Sequence, residues 1–333
     1  MEVCRMDIEE IVNNPHDALF KRTMVDKDAA LDFMQNYLPE EIIKKMDLTE
    51  LQIAKDSFID DKLKEKMSDM LYKVNVGGKE AYVYLLFEHK SYYEIQTPVQ
   101  LLGYMCDIWD LHWKQHKNDA LPMIVPILIY HGERDWDKGE RLANVLEEPL
   151  PGFEKFVPDY NFLLYDFSGL TEEEIKGNIK LKILSYLFSR IYSKDLNEAL
   201  ENVIPLLLEL YYQNTARDYI LTVLNYITNV FGEIKTIEDL KKEVEKVSEE
   251  GREMVMTFTQ EVMEKGKKEG KKEGKKEELI NTVKIQLKKK FKIDLSAKME
   301  KGIEAANIQD LTKIRDNIFE IESLDEVKEI LGV

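Results

Sequence analysis

Residues 70–90 decide the fold, and they read MLYKVNVGGKEAYVYLLFEHK. The runs on either side of Gly77 and Gly78 are rich in Val, Tyr, Leu and Phe, which favour strands. Two glycines between such runs are typical of a tight two-residue hairpin turn, in which Val76 faces Lys79. The stretch therefore predicts an antiparallel hairpin, and its second strand is apolar enough to be buried on both faces.

Charged residues stand where the second strand of this hairpin ends. In the predicted register Asp69 faces Leu86, one pleat away from Glu88, and side chains alternate along a strand. Asp69, Glu88 and Lys90 are therefore expected on one face at one end of the hairpin, with His89 on the opposite face. A slip of one residue would move every side chain to the other face.

This set of side chains has a specific chemistry. Two carboxylates on a rigid sheet repel each other and need a cation, and oxygen ligands with open positions suit Mg²⁺ or Mn²⁺. Such an ion polarises a phosphate and lowers the pKa of bound water. With Lys90 to position the water or neutralise the phosphorane, Asp69 and Glu88 predict phosphodiester hydrolysis. The alternative is that Glu88 and Lys90 form a structural ion pair and that Asp69 belongs to a turn.

The segments around the hairpin predict an α/β core. A helix is expected after Asn14, its N-cap, with Pro15 in the first helical position. Strands that are separated by helices favour a mixed sheet flanked by helices. The other predicted elements are short helix 37–46, strand 50–60, helix 97–113, and strands 121–132 and 161–169.

The C-terminal half is predicted to be helical from Thr171 onward, with a further helix that begins at Thr236. Three domains are expected: residues 1–170 as the catalytic domain, residues 171–235 as a helical extension, and residues 236–333 as a long charged helix with a small helical module. An apolar stripe at three- and four-residue spacing predicts a coiled coil. Its members are Leu240, Val244, Val247, Gly251, Val255, Phe258 and Val262.

Glycines recur every four residues beyond this stripe, at positions 266, 270 and 274. Together they cost a helix about 3 kcal/mol relative to alanine, unless close helix–helix contact offsets the loss. The stripe and the glycine face predict a homodimer. The alternative is that the stripe folds back onto the helices of residues 171–231.

Charge and composition restrict the possible functions of the chain of 333 residues. The net charge of −17 argues against broad adhesion to nucleic acid. Residues 264–290, however, hold 11 lysines and 5 glutamates. This stretch could follow a DNA backbone, or it could be a solvated coiled-coil face. The two cysteines and the acidic N-terminus, which has no apolar signal core, predict a cytoplasmic protein without a membrane partner.

Six segments between residue 15 and about residue 170 carry a resemblance to a known family: PHDALFKRTM, DFMQNYLPEEI, SFIDDKLKEKMSDMLYKV, YVYLLFEHKS, LPMIVPILIYHGERDW and FLLYDFSGL. In these segments, and in the tail GKKEGKKEGKKE with QLKKKFKI, the chain resembles the recombination-promoting nuclease family, which belongs to the PD-(D/E)XK nuclease superfamily. The resemblance implies an αβββαβ core, with Asp69 and Glu88 as metal ligands and Lys90 at the attacking water. It further implies Mg²⁺-dependent DNA endonuclease activity that leaves 5′-phosphates, in recombination, mobile elements or defence.

Two positions depart from many relatives in the family. Lys90 stands where many have glutamine, and lysine fits the superfamily pattern better. Gln100 stands where many have arginine, so a cation that could bind phosphate is missing there. A different class also remains open: a catalytically silent protein that keeps the fold and assembles through its helical tail.

Accessory residues have alternative roles. Asp17 either adds the first-helix acid found in many superfamily members or faces the positive end of its helix. Gln100 lines the site, serves as the capping-box partner of Thr97, or does both. His112 and His116 have a spacing that can bind zinc, but a solvated helix face is expected because no third ligand is apparent.

Overall fold

The fold is known from a computed structural model. It describes residues 14–54, 70–88, 96–117, 119–134, 136–137, 139–192, 196–214, 216–231 and 236–331, and only the backbone of residues 84–88, 237 and 261–273. In chain order the elements are α1 Pro15–Met24, α2 Lys27–Tyr37, α3 Glu40–Ile43, β1 Met46–Ile53, β2 Met70–Val76, β3 Lys79–Glu88, α4 Thr97–Gln115, β4 Met123–Tyr130, β5 Leu163–Asp166, α5 Ile179–Arg190, α6 Leu196–Gln213, α7 Arg217–Val230, α8 Ile237–Val247, α9 Glu249–Phe291, α10 Ala297–Ala305, α11 Ile308–Asp316 and α12 Leu324–Leu331.

The predicted hairpin is confirmed in its turn and its register. Val76 pairs with Lys79, and the pairing continues without a slip to Met70 opposite Leu85. Gly77 and Gly78 have φ values of 59° and 83°, and positive φ at both central residues is what a type I′ hairpin turn requires. The two glycines therefore set the register of the strands that follow them.

The strands form one mixed sheet in the order β1-β2-β3-β4-β5. β1, β2 and β3 are antiparallel neighbours, whereas β3, β4 and β5 are parallel. α4 makes the crossover from β3 to β4 that a parallel pair needs. β1 begins at Met46, before the predicted start at residue 50, because its first residues pair with the turn end of β2 and a register shift follows between Asp47 and Gln52.

Apolar residues on both faces of the sheet are covered by helices. Leu71 belongs to a cluster that includes Leu101 and Ile108 of α4. The next residue, Tyr72, is fully buried, and its hydroxyl donates to the carbonyl of Met24 at the end of α1. Since successive side chains of a strand point to opposite faces, α4 and α1 cover the two faces of the sheet. The predicted α/β layering is confirmed.

Helices α5 to α8 extend the α1 side of this structure. α1 packs on α7, α5 on α6, and α6 on α8. The predicted start at Thr236 is confirmed, because its hydroxyl and Asp239 form a capping box. The sequence at Thr171 forms only a turn, closed by Glu174, and α5 begins later with Asn178 as its N-cap.

The apolar stripe does not run along one continuous helix, so that part of the prediction is wrong. Ser248 is extended, with φ −158° and ψ 129°, and it separates α8 from α9. Val244 is fully buried in α8, which packs on α6. A Cβ at Gly251 would lie 2.7 Å from Ile204 Cγ2 of α6. The first half of the stripe therefore folds back onto the chain's own helices, because α6 is itself amphipathic and needs a cover.

The chain divides into two compact units, Met1–Met256 and Thr257–Val333. In the second unit α9 packs against α10, α11 and α12 through a core of its own. The helix continues through all three periodic glycines. No helix among the described residues is long and apolar enough to cross a membrane. The core that α9 shares with α10, α11 and α12 consists of Leu279, Val283, Leu287, Leu295, Met299, Ile303, Leu311, Ile314, Ile318, Ile321 and Val327.

Candidate active site

The carboxyl ends of the parallel strands meet at one edge of the sheet. Glu88, the last residue of β3, pairs with Tyr130, the last residue of β4, and Tyr130 pairs with Asp166 at the end of β5. The first residue of β2, Met70, pairs with Leu85 near the same edge. In open α/β sheets this edge is where ligands bind. We refer to it below as the carboxyl edge.

The three principal predicted residues are described only in part. The backbone of Glu88 lies at the carboxyl edge, but its side chain is outside the described part of the chain. Asp69, His89 and Lys90 lie outside the described residues. The common face of Asp69, Glu88 and Lys90 therefore stays a prediction. Its premise, the hairpin register up to the residue after Asp69, is confirmed.

The N-terminus of α1 reaches the carboxyl edge from one face of the sheet. His16 is buried, and its ring centroid lies 5.2 Å from that of His131, the residue that follows β4. Asp17 comes next in the first turn of α1, and its N–H donates to Oδ1 of Asn14 over 3.3 Å. Asp17 is thus the sequence neighbour of His16, whose ring lies close to the residue that follows β4.

The carboxylate of Asp17 is held by an ion pair within its own helix. Lys21 Nζ lies 2.6 Å from Asp17 Oδ2, and the two side chains are only 11% and 14% exposed. Separating a charge pair so far removed from water is costly, because either partner alone would be desolvated without compensation. Asp17 is therefore a paired carboxylate in the first turn of α1, and its role as an acid of the site stays a prediction.

Two buried histidines, His16 and His131, contact aromatic residues of α5 and α7 near the carboxyl edge. Sequence reasoning missed these contacts. His131 Nε2 lies 2.9 Å from the carbonyl oxygen of Phe188 in α5, and the two rings stack at 4.3 Å. Because a carbonyl oxygen only accepts, Nε2 carries the proton in this contact. His16 Nδ1 lies 3.1 Å from the hydroxyl of Tyr226 in α7. The only sequence signal was a histidine directly after an apolar strand.

The predicted cap of α4 is wrong. Gln96 is the N-cap and makes no side-chain capping bond, while Thr97 is already the first helical residue. The buried hydroxyl of Thr97 has no hydrogen-bond partner within the described part of the chain. Gln100 is exposed, and its Nε2 donates to Tyr104 Oη over 3.3 Å. Gln100 is therefore not a capping-box partner, and whether it lines the site stays a prediction.

His112 is buried, which contradicts the expected solvated face, whereas His116 is exposed. Their ring centroids are 4.6 Å apart. Partial burial acts to raise the pKa of Glu80, but hydrogen bonds from Lys73 and Tyr82 and the charges of Lys73 and His112 lower that pKa overall. Glu80 lies next to the turn of the hairpin, at the end opposite to Glu88. Among the described residues no group of three His, Cys, Asp or Glu could hold a metal ion.

The structure is that of an α/β protein with a candidate site at the carboxyl edge of its sheet. Sequence comparison shows the family to which the chain belongs. The chain belongs to the family described as "Putative transposase, YhgA-like", whose model matches residues 14–218. That range includes the complete sheet and α1 to α6.

Several curated proteins are similar to most of the chain. Recombination-promoting nuclease RpnD of Escherichia coli O157:H7 is 28% identical over 75% of this chain and 94% of its own length. RpnC of Escherichia coli K12, which is also named a recombination-promoting nuclease, is 30% identical over 76% of this chain and 82% of its own. The inactive nuclease-like protein RpnE of the same strain is 26% identical over 78% and 84%. No solved structure matches the chain.

Proposed function

We propose that this protein is a metal-dependent DNA endonuclease of the PD-(D/E)XK type, with a role in recombination, mobile elements or defence. The observation that carries the proposal is the connection of the sheet. Three antiparallel strands lead through α4 to a parallel fourth strand, which is the expected αβββαβ order. Glu88 ends the third of these strands at the carboxyl edge. The printed names of RpnD and RpnC agree with a nuclease.

The residues are assigned to roles by their chemistry. Asp69 and Glu88 would hold Mg²⁺ or Mn²⁺, since both ions prefer carboxylate oxygens. When bound, the ion would polarise the scissile phosphate and would lower the pKa of its bound water. Lys90 orients the attacking water and offsets negative charge on the phosphorane. Asp17, fixed by Lys21, supplies a further carboxylate near the edge.

Divalent ions are expected to stabilise the folded protein. An ion bound only by the folded state at a concentration of 100 times its Kd contributes about 2.7 kcal/mol. The melting temperature of the wild type should therefore rise with millimolar Mg²⁺ or Mn²⁺, and that of Asp69→Ala should rise much less. An equal rise in both proteins would place the ion elsewhere.

A second candidate function is that of a catalytically silent interaction protein with the same fold. The inactive designation of RpnE, which is 26% identical to this chain, favours it. The net charge of −17 also opposes contact with a polyanion. The complete set of Asp69, Glu88 and Lys90 favours the enzyme. Cleavage assays separate the two candidates directly, because a silent protein leaves plasmid DNA intact with any divalent ion.

We further propose that the protein is a homodimer, because one site of this kind cuts one strand and two sites related by a two-fold axis cut both. The glycine face of α9 is the surface we assign to the contact. At Gly274, the one of the three glycines whose surroundings are described, a built Cβ meets nothing within 4 Å. Leu240 and Val244 are buried in the first unit, so they take no part in the proposed contact.

Sedimentation of the full chain and of Gly270→Leu tests the dimer. If two backbones touch at the glycine face, the larger side chain should weaken association by about tenfold or more, since overpacking a close contact costs about 1–3 kcal/mol. Gly103→Leu is the matched control, because Gly103 lies inside α4 and a Cβ built there meets nothing within 4 Å. Unchanged association of Gly270→Leu would contradict the assigned interface.

A further inference from the structure

We propose that the seven lysines within residues 265–276 of α9, here called the lysine ladders, form a surface that binds the phosphate backbone of DNA. This inference rests on the proposed nuclease function, because a DNA substrate has to approach a chain that is strongly acidic elsewhere. Residues 264–290 carry a net charge of +6, and the rest of the chain therefore carries −23. A polyanion needs a local cationic element to offset that repulsion.

The repeat of α9 segregates charge on the helix. Residues 266–277 consist of three consecutive GKKE units within one unbroken helix. At 3.6 residues per turn, the two lysine positions of each unit fall on neighbouring ladders, and the glycine and glutamate positions fall on the other half. Seven lysines lie within residues 265–276, which span about 18 Å of helix axis. DNA carries one phosphate charge per about 1.7 Å of its axis.

Lysines further along α9 are already used by the second unit. Lys284 Nζ lies 2.6 Å from Glu304 Oε1. Lys290 Nζ donates to the carbonyls of Ile318 and Phe319 over 2.7 and 3.0 Å. Lys275, by contrast, is exposed and precedes the core that begins at Leu279. The basic stretch of residues 264–290 therefore has two parts, and we assign only the part before Leu279 to the DNA surface.

An anion along the lysine ladders would relieve electrostatic repulsion within α9. Lysines four residues apart on a helix destabilise it by like-charge repulsion, and the repeat contains four such pairs. Glutamates three residues before a lysine offset part of this repulsion. A phosphate backbone along the ladders would offset the remainder and release its own counterions. The acidic first unit of a second copy is the other polyanion that could do so, and the experiment separates the two.

Binding of a labelled DNA duplex of about 30 base pairs to the full chain tests the proposal. Anisotropy is measured in EDTA, where no metal-dependent cleavage occurs, over a series of salt concentrations. The test variant carries Lys271→Gln, Lys272→Gln and Lys275→Gln. Glutamine has nearly the helix propensity of lysine, so the helix is retained and circular dichroism can verify it. Lys44→Gln, Lys114→Gln and Lys246→Gln form the matched control, since these side chains are 70%, 63% and 63% exposed in the first unit.

The test variant should bind DNA about tenfold or more weakly near 0.1 M salt. Its slope of log K against log salt should be shallower by up to about 3, at roughly 0.9 for each phosphate that is no longer neutralised. The control should keep the slope of the wild type. An unchanged slope in the test variant, an equal loss of affinity in the control, or no binding by the wild type would overturn the proposal. Dissociation of an oligomer without weaker DNA binding would assign the ladders to a second copy and would likewise overturn it.

Failure of this proposal and failure of the proposed function give different results. A wild-type protein that binds DNA through these lysines but never cuts it refutes the nuclease and leaves the binding surface standing. A protein that cuts DNA with Mg²⁺ and binds it equally well in the test variant refutes the surface and leaves the nuclease standing.

Discussion

Replacing Glu88 by alanine is expected to lower Mg²⁺-dependent plasmid cleavage by about a thousandfold or more. Removal of one group that stabilises transition-state charge typically costs about 10²–10³ in rate, and loss of a metal ligand also weakens binding of the ion. Asp69→Ala and Lys90→Ala should have effects of the same order. Glu88 is the last residue of β3, so truncation there should leave the sheet intact.

The matched control for this prediction is Glu80→Ala. Glu80 lies in the same strand near the hairpin turn, forms an ion pair with Lys73, and accepts a hydrogen bond from Tyr82 over 2.8 Å. Its removal takes one carboxylate from β3 without touching the carboxyl edge, and cleavage should remain within about twofold of wild type. Cleavage by Glu88→Ala at the wild-type rate would refute the site assignment.

Replacing Tyr72 by alanine is expected to destabilise the protein by about 3–5 kcal/mol, the range for truncating a buried aromatic side chain. Tyr72 of β2 is fully buried between the sheet and α1, and its hydroxyl donates to the carbonyl of Met24. Tyr72→Phe keeps the ring and should lose only about 1–3 kcal/mol, because it leaves a buried carbonyl without its donor. Urea unfolding of the three proteins gives these differences.

Tyr212 provides the comparison for Tyr72. It is 70% exposed near the end of α6, and Tyr212→Ala should change stability by no more than about 0.5 kcal/mol. If Tyr72→Ala were as mild as Tyr212→Ala, α1 would not pack on the sheet as described. The placement of the N-terminus of α1 near the carboxyl edge would then lose its support.

The parts of the fold that local chemistry determines could be predicted from the sequence. Gly77 and Gly78 allow positive φ at both turn positions, so the hairpin and its register follow from a few adjacent residues. Thr236 and Asp239 likewise form their capping box within one turn of helix. Such features depend on neighbours in the chain, and tertiary packing did not override them.

Features that depend on distant contacts could not be predicted. The apolar residues keep their three- and four-residue spacing across the break at Ser248. The spacing therefore does not reveal that α8 packs on α6. His16 and Tyr226 are 210 residues apart in sequence, and no local pattern connects them. The start of α4 was misplaced because Thr97 has the residue type of a cap, although the chain already becomes helical at that residue.

Incubation of purified wild-type protein with supercoiled plasmid, in Mg²⁺ and in EDTA, tests the central claim most directly. The account predicts nicked or linear product in Mg²⁺ or Mn²⁺, with 5′-phosphate ends, and intact plasmid in EDTA. Intact plasmid with every divalent ion would contradict it and favour the silent interaction protein. Cleavage that persists in EDTA would also contradict it, because a site made by Asp69, Glu88 and Lys90 requires the ion.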